Sequence, residues 1–311
     1  MDRVRVIAPC SSANLGSGFD VFGLALEAFY DTLTAELTDN DIKVEVSGLG
    51  AEKIPTDPSR NTAGLVAKNL LAGRGLGVNI GLEKGIPSRM GLGSSGASAA
   101  ACAVALNHLL GLGLVRDELV RLAALGEVAA AGASHADNVA ASVLGGFTIV
   151  RAREEWFKVV RLDPPPNLEV ALAMPSVETP QNKTAKSRAI LPKSVAFNDA
   201  VTNVKNAALV VAGFHLGDID MIGRGMTDAL VEPARMRLIP NYLETKKAAY
   251  AAGASGVAIS GAGPAVIAVV DADKVSAGTV ASAMKNAFLE GGIRCEGLRS
   301  RPSVKGTVKI L

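Results

Sequence analysis

Pro87-Ser88-Arg89-Met90-Gly91-Leu92-Gly93-Ser94-Ser95-Gly96-Ala97-Ser98, followed at once by an apolar run to Leu112, is the stretch that decides how this chain is read. Glycines carry no Cβ, so their backbone N–H groups can approach an anion closely. A helix beginning at Ser94 adds unpaired N–H groups and the positive end of a dipole. Serine hydroxyls can donate to phosphate oxygens or bind Mg²⁺. A flexible linker with an N-cap is the plainer reading. Against it, the segment is pinned between a strand pattern at Val78–Leu82, ended by Pro87, and a buried helix pattern at Ser94–Leu112. The turn is therefore read as a phosphate cradle over Gly91–Ser98. No Lys follows the glycines, so it is not a Walker loop, and the glycine spacing is not that of a dinucleotide fingerprint. Gly-x-Ser-x-Gly fails around Ser95, because the fifth position is Ala97.

The composition sets the frame. The chain has 311 residues, 49% of them hydrophobic and only 4% aromatic, so it is globular with a core of Ala, Val, Leu and Ile. Its 32 Lys and Arg against 30 Asp and Glu leave +2, which argues against a nucleic-acid partner and gives no sign of a polybasic membrane anchor. Cys10, Cys102 and Cys295 lie too far apart for a metal cluster or a disulfide framework, and are expected reduced and mostly buried. The N-terminus has too short an apolar run for a signal peptide, and Gly96–Leu106 is too short to cross a bilayer. A reducing, cytoplasmic setting is expected.

Further strands are expected at Val4–Ala8, Thr32–Leu37, Ile42–Val46, Phe147–Arg151, Val159–Leu162, Leu168–Ala173, Val257–Ser260 and Ala265–Val270. Helices are expected at Asn61–Leu71, Arg116–Ala133, Asn198–Phe214, Ile219–Leu230, Leu243–Ala252 and Asp273–Glu290. Pro9–Gly18 reads as a turn-rich stretch. The stacked prolines of Asp163-Pro164-Pro165-Pro166-Asn167 suit a linker, dividing the chain into 1–163 and 168–311. Strands and helices mix without strict βαβ alternation, which favours α+β over a doubly wound sheet.

Four other clusters carry chemistry. Glu127 has alanine at every position three and four residues away, so no helical ion pair is open to it. A buried carboxylate needs a cation; Mg²⁺ beside a phosphate loop would serve, and a solvated Glu is the alternative. Ser134-His135-Ala136-Asp137-Asn138 reads as a pocket wall, as a helix cap by Ser134 or Asp137, or as both. Ser260-Gly261-Ala262-Gly263-Pro264 permits a tight turn with N–H groups open to a ligand, and an ordinary β-turn explains it equally well. In Ala8–Asp20, Asp20 could bind an amine and Asn14 a hydroxyl or carboxylate, unless the run is an irregular loop.

Five separated segments together resemble the GHMP kinases. PSRMGLGSSGAS is similar to their phosphate loop and SGAGPAVIAV to their third motif. APCSSANLGSGFDVFGLAL, HADNVAASVLGGF and PSVETPQNKTAKSRAILP resemble the branch of that family that acts on homoserine. Gly96 stands where relatives often carry Ala, and Gln181-Asn182-Lys183 is looser than the usual form. The resemblance implies an N-terminal ATP-binding α+β domain, a ferredoxin-like C-terminal domain, and an active site between them. It implies ATP held by Asn61 and by Pro87, Arg89, Met90, Gly91, Leu92, Gly93, Ser94, Ser95, Gly96, Ala97 and Ser98, with Mg²⁺ on Ser95 and Glu127. It implies L-homoserine held by Asn14, Asp20, His135, Asn138, Thr184, Arg188 and Arg235, with Asp20 suited to an ammonium and the arginines to a carboxylate. It leaves room for a homodimer.

The activity so implied is in-line transfer of the γ-phosphoryl group to the homoserine hydroxyl, in threonine biosynthesis. Some sister kinases place an Asp base where Asn138 stands; Asn takes no proton at neutral pH. Catalysis would then rest on positioning and charge neutralisation around Asn138, Ser95 and Glu127. The competing readings are a kinase for another small alcohol, a catalytically silent ligand sensor, and a serine hydrolase pairing Ser95 with His135.

Overall fold

The computed structural model describes residues 3–131, 135–153, 156–178 and 183–311; Ser134, Gln181 and Asn182 lie outside them. The first half holds β1 (Arg3–Ala13), β2 (Phe22–Thr38), β3 (Ile42–Gly48), α1 (Thr62–Leu71), β4 (Gly77–Lys84), α2 (Ser94–Leu109), α3 (Arg116–Ala131), α4 (Ala136–Leu144), β5 (Phe147–Arg153) and β6 (Trp156–Leu162). The second holds β7 (Leu168–Pro175), α5 (Lys183–Ala189), α6 (Phe197–Leu216), α7 (Ile219–Gly225), α8 (Glu232–Arg235), α9 (Tyr242–Ala251), β8 (Gly256–Ile259), β9 (Val266–Asp271), α10 (Ala277–Glu290), β10 (Cys295–Ser300) and β11 (Val308–Lys309).

One sheet runs β11-β1-β2-β4-β3, with β5 joining β2 at Phe22–Leu24 and β6 beyond it. The other is antiparallel in the order β10-β7-β9-β8. Numbered from β7, that order is 4-1-3-2 in a βαββαβ chain, the expected ferredoxin-like arrangement. The chain end returns to the first sheet, where β11 pairs with β1 and Thr307 N–H donates to Ser142 O at 2.7 Å.

β7 is buried along its whole length, and the reason is its two faces. Val170 and Leu172 join Ile267 and Val269 in the large core with α2, α6 and α7. Ala171 and Ala173 join Val266, Ala268 and Val270 in a second core under α9 and α10. The period of two thus assigns alternate residues to opposite layers. Phe147 of β5 stacks on Phe214 of α6, ring centroids 4.0 Å apart, and ties the two halves together.

Several expectations are corrected. Pro9–Ala13 is strand, not turn: the register shifts between Pro9 and Cys10, and Cys10–Ala13 then pair with Leu26–Gly23. A proline gives the ladder no N–H, and the shift absorbs that loss. The helix expected over Ile219–Leu230 stops at Gly225, and the Asp228 carboxylate then takes the N–H groups of Leu230, Val231 and Glu232. β10, β11, α4 and α5 are additional elements, too short or too polar to stand out as periodic patterns. The three cysteines are free and buried, as expected.

Beneath the N-terminus of α2 lies an ion pair that the sequence pattern does not disclose. Lys84, at the end of β4, pairs with Asp31 of β2, and both side chains are almost wholly buried. The ammonium also donates to Ser94 O at 2.9 Å and Ser98 Oγ at 2.8 Å. The carboxylate accepts from Gly85 N and Ile86 N at 3.1 Å. Every Lys84 donor is thus committed, and α2 is fastened to the sheet. Lys84→Met should destabilise the fold by about 3–5 kcal/mol in denaturant titration, because it strands a buried carboxylate. The double variant Asp31→Leu/Lys84→Met should lose less than either single change; a double variant worse than both would contradict this account.

Candidate active site

The segment between β4 and α2 closes on itself through two glycines. Gly91 has φ +87°, and a Cβ there would sit 2.2 Å from Ser260 O; Gly93 has φ +66°, and its Cβ would sit 2.1 Å from Ser11 Oγ. Both conformations and both approaches require glycine. Ser260 Oγ donates to Gly91 O at 2.8 Å, Ala265 N to Met90 O at 3.0 Å and Ser11 N to Leu92 O at 3.1 Å. Gly93 occupies the N-cap of α2 with no side-chain cap, so the first amides of a buried helix open toward an adjoining cavity.

That cavity has a volume of about 290 Å³ and is lined by Asn61, Lys84, Arg89, Gly91–Gly96, Ser98, Glu127, His135, Asn138, Lys183 and Thr184, among others. The loop serines divide by task. Ser94 Oγ donates to Ile86 O, and Ser98 Oγ lies against Lys84 and Asp31, so both brace the turn. No such partner occupies the Ser95 hydroxyl among the described residues.

Glu127 is 1% exposed. Its Oε2 meets His135 Nδ1 at 2.9 Å, while Oε1 is buried without a hydrogen-bond partner. An uncompensated buried carboxylate oxygen beside a hydroxyl and an open helix terminus fits a hard cation that also takes phosphate oxygens. The imidazole, largely buried, would lose basicity by desolvation, but the Glu127 hydrogen bond and charge outweigh this and raise its pKa. Among the described residues no hydrogen bond joins Ser95 to His135, the pairing a serine hydrolase needs.

A second cluster forms beside the cavity. Asp20 and Arg188 make a bidentate pair at 2.7 and 2.8 Å. The guanidiniums of Arg188 and Arg235 lie 5.4 and 4.9 Å from the Phe19 ring centroid. Arg235 donates to Gly261 O at 3.1 Å, the same carbonyl that takes Asn14 Nδ2 at 2.9 Å. Asn14 Oδ1 accepts from Asp20 N, so this side chain braces the loop that carries Asp20. Asn138 spans both clusters: its Oδ1 accepts from Ser11 Oγ at 3.0 Å and its amide nitrogens face Asp137 Oδ1.

The structure thus brings most of the expected residues to one place. Pro87, Met90 and Ala97 do not line the cavity: Ala97 is wholly buried and Met90 packs on the core. Asn61 lines it, yet its side chain caps α1 through Ala63 N and Gly64 N and donates to Pro55 O. Asp137 is not a cap: His135 holds the N-cap position of α4, and Asp137 Oδ1 accepts from Asn138 N inside the first turn. Sequence reading passed over Lys84 and Lys183. Lys84 stands 53 residues from Asp31 and so shows no local pattern; Lys183 was visible as a cation beside Thr184.

Two family models match the chain: the GHMP kinases N terminal domain over residues 61–146 and the GHMP kinases C terminal over residues 210–290. A homoserine kinase of Halorubrum lacusprofundi is 44% identical over 98% of this chain and 99% of its own length. One of Methanococcus maripaludis is 44% identical over 86% of this chain and 88% of its own. The crystal structure of homoserine kinase from Cytophaga hutchinsonii superposes with a TM-score of 0.91 at 36% identity, covering 100% of this chain and 98% of that one. The chain belongs to the GHMP kinase family of enzymes, in its homoserine kinase branch.

Asp137 gives this site a pH signature. It is buried, and burial, reinforced by Asp20 and opposed by the Asn138 N–H, pushes its pKa from 3.8 to about 6. The folded protein therefore holds this proton more tightly than the unfolded chain. The resulting stabilisation is full below about pH 4 and lost as pH rises to about 6, by up to about 3 kcal/mol. Relative to wild type, the melting temperature of Asp137→Asn should climb between pH 4 and 7. A difference flat in pH would show that Asp137 titrates normally.

Proposed function

We propose that the protein transfers the γ-phosphoryl group of ATP, with Mg²⁺, to the hydroxyl of L-homoserine, giving O-phospho-L-homoserine for threonine biosynthesis. The observation that carries this reading is the shared cavity. An uncapped helix terminus in a glycine turn, the Ser95 hydroxyl and the unpartnered Glu127 Oε1 converge on it, with an Asp20–Arg188 pair alongside. The turn suits the phosphates. The acid–base pair matches a zwitterion, since an α-amino acid offers Asp20 an ammonium and Arg188 a carboxylate in exchange for each other.

Ser95 and Glu127 would hold the magnesium ion, which when bound neutralises charge on the phosphate oxygens. His135 orients Glu127 through the bond at Nδ1. Asn138, fixed by Ser11 and Asp137, would position the attacking hydroxyl. Among the described residues Glu127 is the one carboxylate on the cavity wall; His135 engages it and the metal would, so the transfer is read as in-line without a carboxylate base. The free, buried thiols are in keeping with a cytoplasmic setting.

A homodimer is supported by α6, whose Phe197 and Val204, two turns apart on one face, are 81% and 70% exposed. Pairing of two copies across that face would bury both side chains. Sedimentation equilibrium should give twice the chain mass; a monomer at micromolar concentration would exclude it.

ADP release should depend on L-homoserine, with kcat/KM at least about tenfold above that for mevalonate or shikimate; equal rates would refute the substrate assignment. Glu127→Gln and Ser95→Ala should each lower kcat by about 10²-fold, the scale of losing one charge-stabilising group. Asn138→Asp should lower the rate. A gain with the pH profile of a carboxylate base would overturn the no-base reading.

A further inference from the structure

The phosphate turn carries no lysine of its own, and the charge on a nucleotide's phosphate chain must be met from elsewhere. Among the described residues four Lys and Arg side chains line the cavity: Arg60, Lys84, Arg89 and Lys183. Lys84 is neutralised by Asp31 and has all its donors committed. Arg60 and Arg89 are exposed to solvent. Lys183, the first residue of α5, is different. Its ammonium donates to Arg89 O at 2.7 Å, on the phosphate turn, and to Gly263 O, on the Ser260–Pro264 turn. Two of its three N–H donors are thus used on main-chain carbonyls and one remains. No carboxylate lies within ion-pair distance of it among the described residues.

We propose that Lys183 is a phosphate-binding residue that supplies from α5 a partly buried cation beside the exposed Arg89 of the turn, and so contacts the phosphate chain of the bound nucleotide. This rests on the kinase reading above. The electrostatics favour an anion: the ammonium is desolvated, and the charged groups acting on it are two further cations, Arg235 and Arg89, so that its pKa falls to about 7. A half-buried cation among cations is held at a cost that an arriving polyphosphate would remove. The carbonyls that hold Lys183 belong to the two glycine turns, which places it with the nucleotide. The carboxylate-matching arginines Arg188 and Arg235 are held elsewhere, against Asp20 and Phe19. Lys183 is also adjacent to Thr184, so the same contact would fix the start of the segment that carries Arg188.

Calorimetry on the full chain with Mg²⁺ tests this. Lys183→Met should weaken ATP at least about tenfold, equivalent to about 1.4 kcal/mol, and leave adenosine and L-homoserine binding within about twofold. Lys183→Arg should keep ATP affinity within about threefold of wild type. Because a phosphate chain raises the ammonium pKa, wild type near pH 7.5 should take up more protons on binding ATP than either variant, measured across buffers of different ionisation enthalpy. A purely structural lysine would not produce that difference. Wild-type ATP affinity in Lys183→Met, or a loss confined to homoserine, overturns the inference and leaves the kinase reading standing. Failure of the wild-type chain to bind ATP removes both. Should Lys183→Met not fold, Lys183→Gln carries the same comparison.

Discussion

Everything at this site depends on one contact, the seating of the Gly91–Gly93 turn against Ser260–Gly263. It is made by main-chain atoms and one serine hydroxyl, and it leaves no room for a side chain at Gly91. The first turn belongs to the larger sheet, between β4 and α2. The second joins β8 to β9 in the ferredoxin-like sheet. Their contact therefore joins two sheets that also meet through the apolar core and through Ser12, Ala13 and Asn14 on the Ser260–Gly261 segment. It also fixes where the uncapped end of α2 points. The hydrogen bonds are short-range and directional, so a small change in either turn would re-aim the helix terminus as well as loosen it.

The Lys84–Asp31 pair supports that contact from beneath. Buried ion pairs are poor sources of net stability, since desolvation consumes most of the Coulomb gain. This one is better understood as a constraint on geometry. It ties β2, β4 and the first turn of α2 at a single point, and it consumes the ammonium in doing so. A lysine so fully engaged cannot also serve a nucleotide. The partly buried cation left to meet the phosphates is then Lys183, across the cavity, beside the exposed Arg60 and Arg89.

How much of this could be read from the sequence follows from the range of the interactions. Gly91 and Gly93 were legible, because a positive φ and a close approach are imposed on the residue itself. Glu127 was legible in part: alanines at all helical neighbours left either a cation from outside the helix or solvent as its partner, and its burial against His135 removes the second. The ferredoxin-like order of β7 to β10 followed from resemblance, since β10 is polar and alternates too weakly to declare itself. Asn61, on the cavity wall, shows how residue type alone leaves a role open. A residue type suited to ligand binding is equally suited to capping, and α1 uses it for that. Lys84 and Asp31 could not be paired in advance, as nothing local links positions 53 residues apart.

The division of charge across the site carries the last step. On the nucleotide side the structure offers main-chain amides, hydroxyls and one unpaired carboxylate oxygen: groups that bind phosphates and a divalent ion together. On the amino-acid side it offers a complete acid–base pair, closed on itself through Asp20 and Arg188. The first set is unsatisfied as it stands; the second is paired through Asp20 and Arg188, with only Arg188 Nε and His135 Nε2 left buried without partners among its described residues. Nucleotide and metal would therefore enter a site already poised for them, whereas an amino acid must displace an internal ion pair. Because that pair is part-exposed and its two bonds are regained with the ligand's own charges, the exchange costs little net free energy and is selective for molecules that carry both charges at α-amino-acid spacing. On the proposed assignment, selectivity against neutral or singly charged alcohols would then arise without any pocket shaped to exclude them.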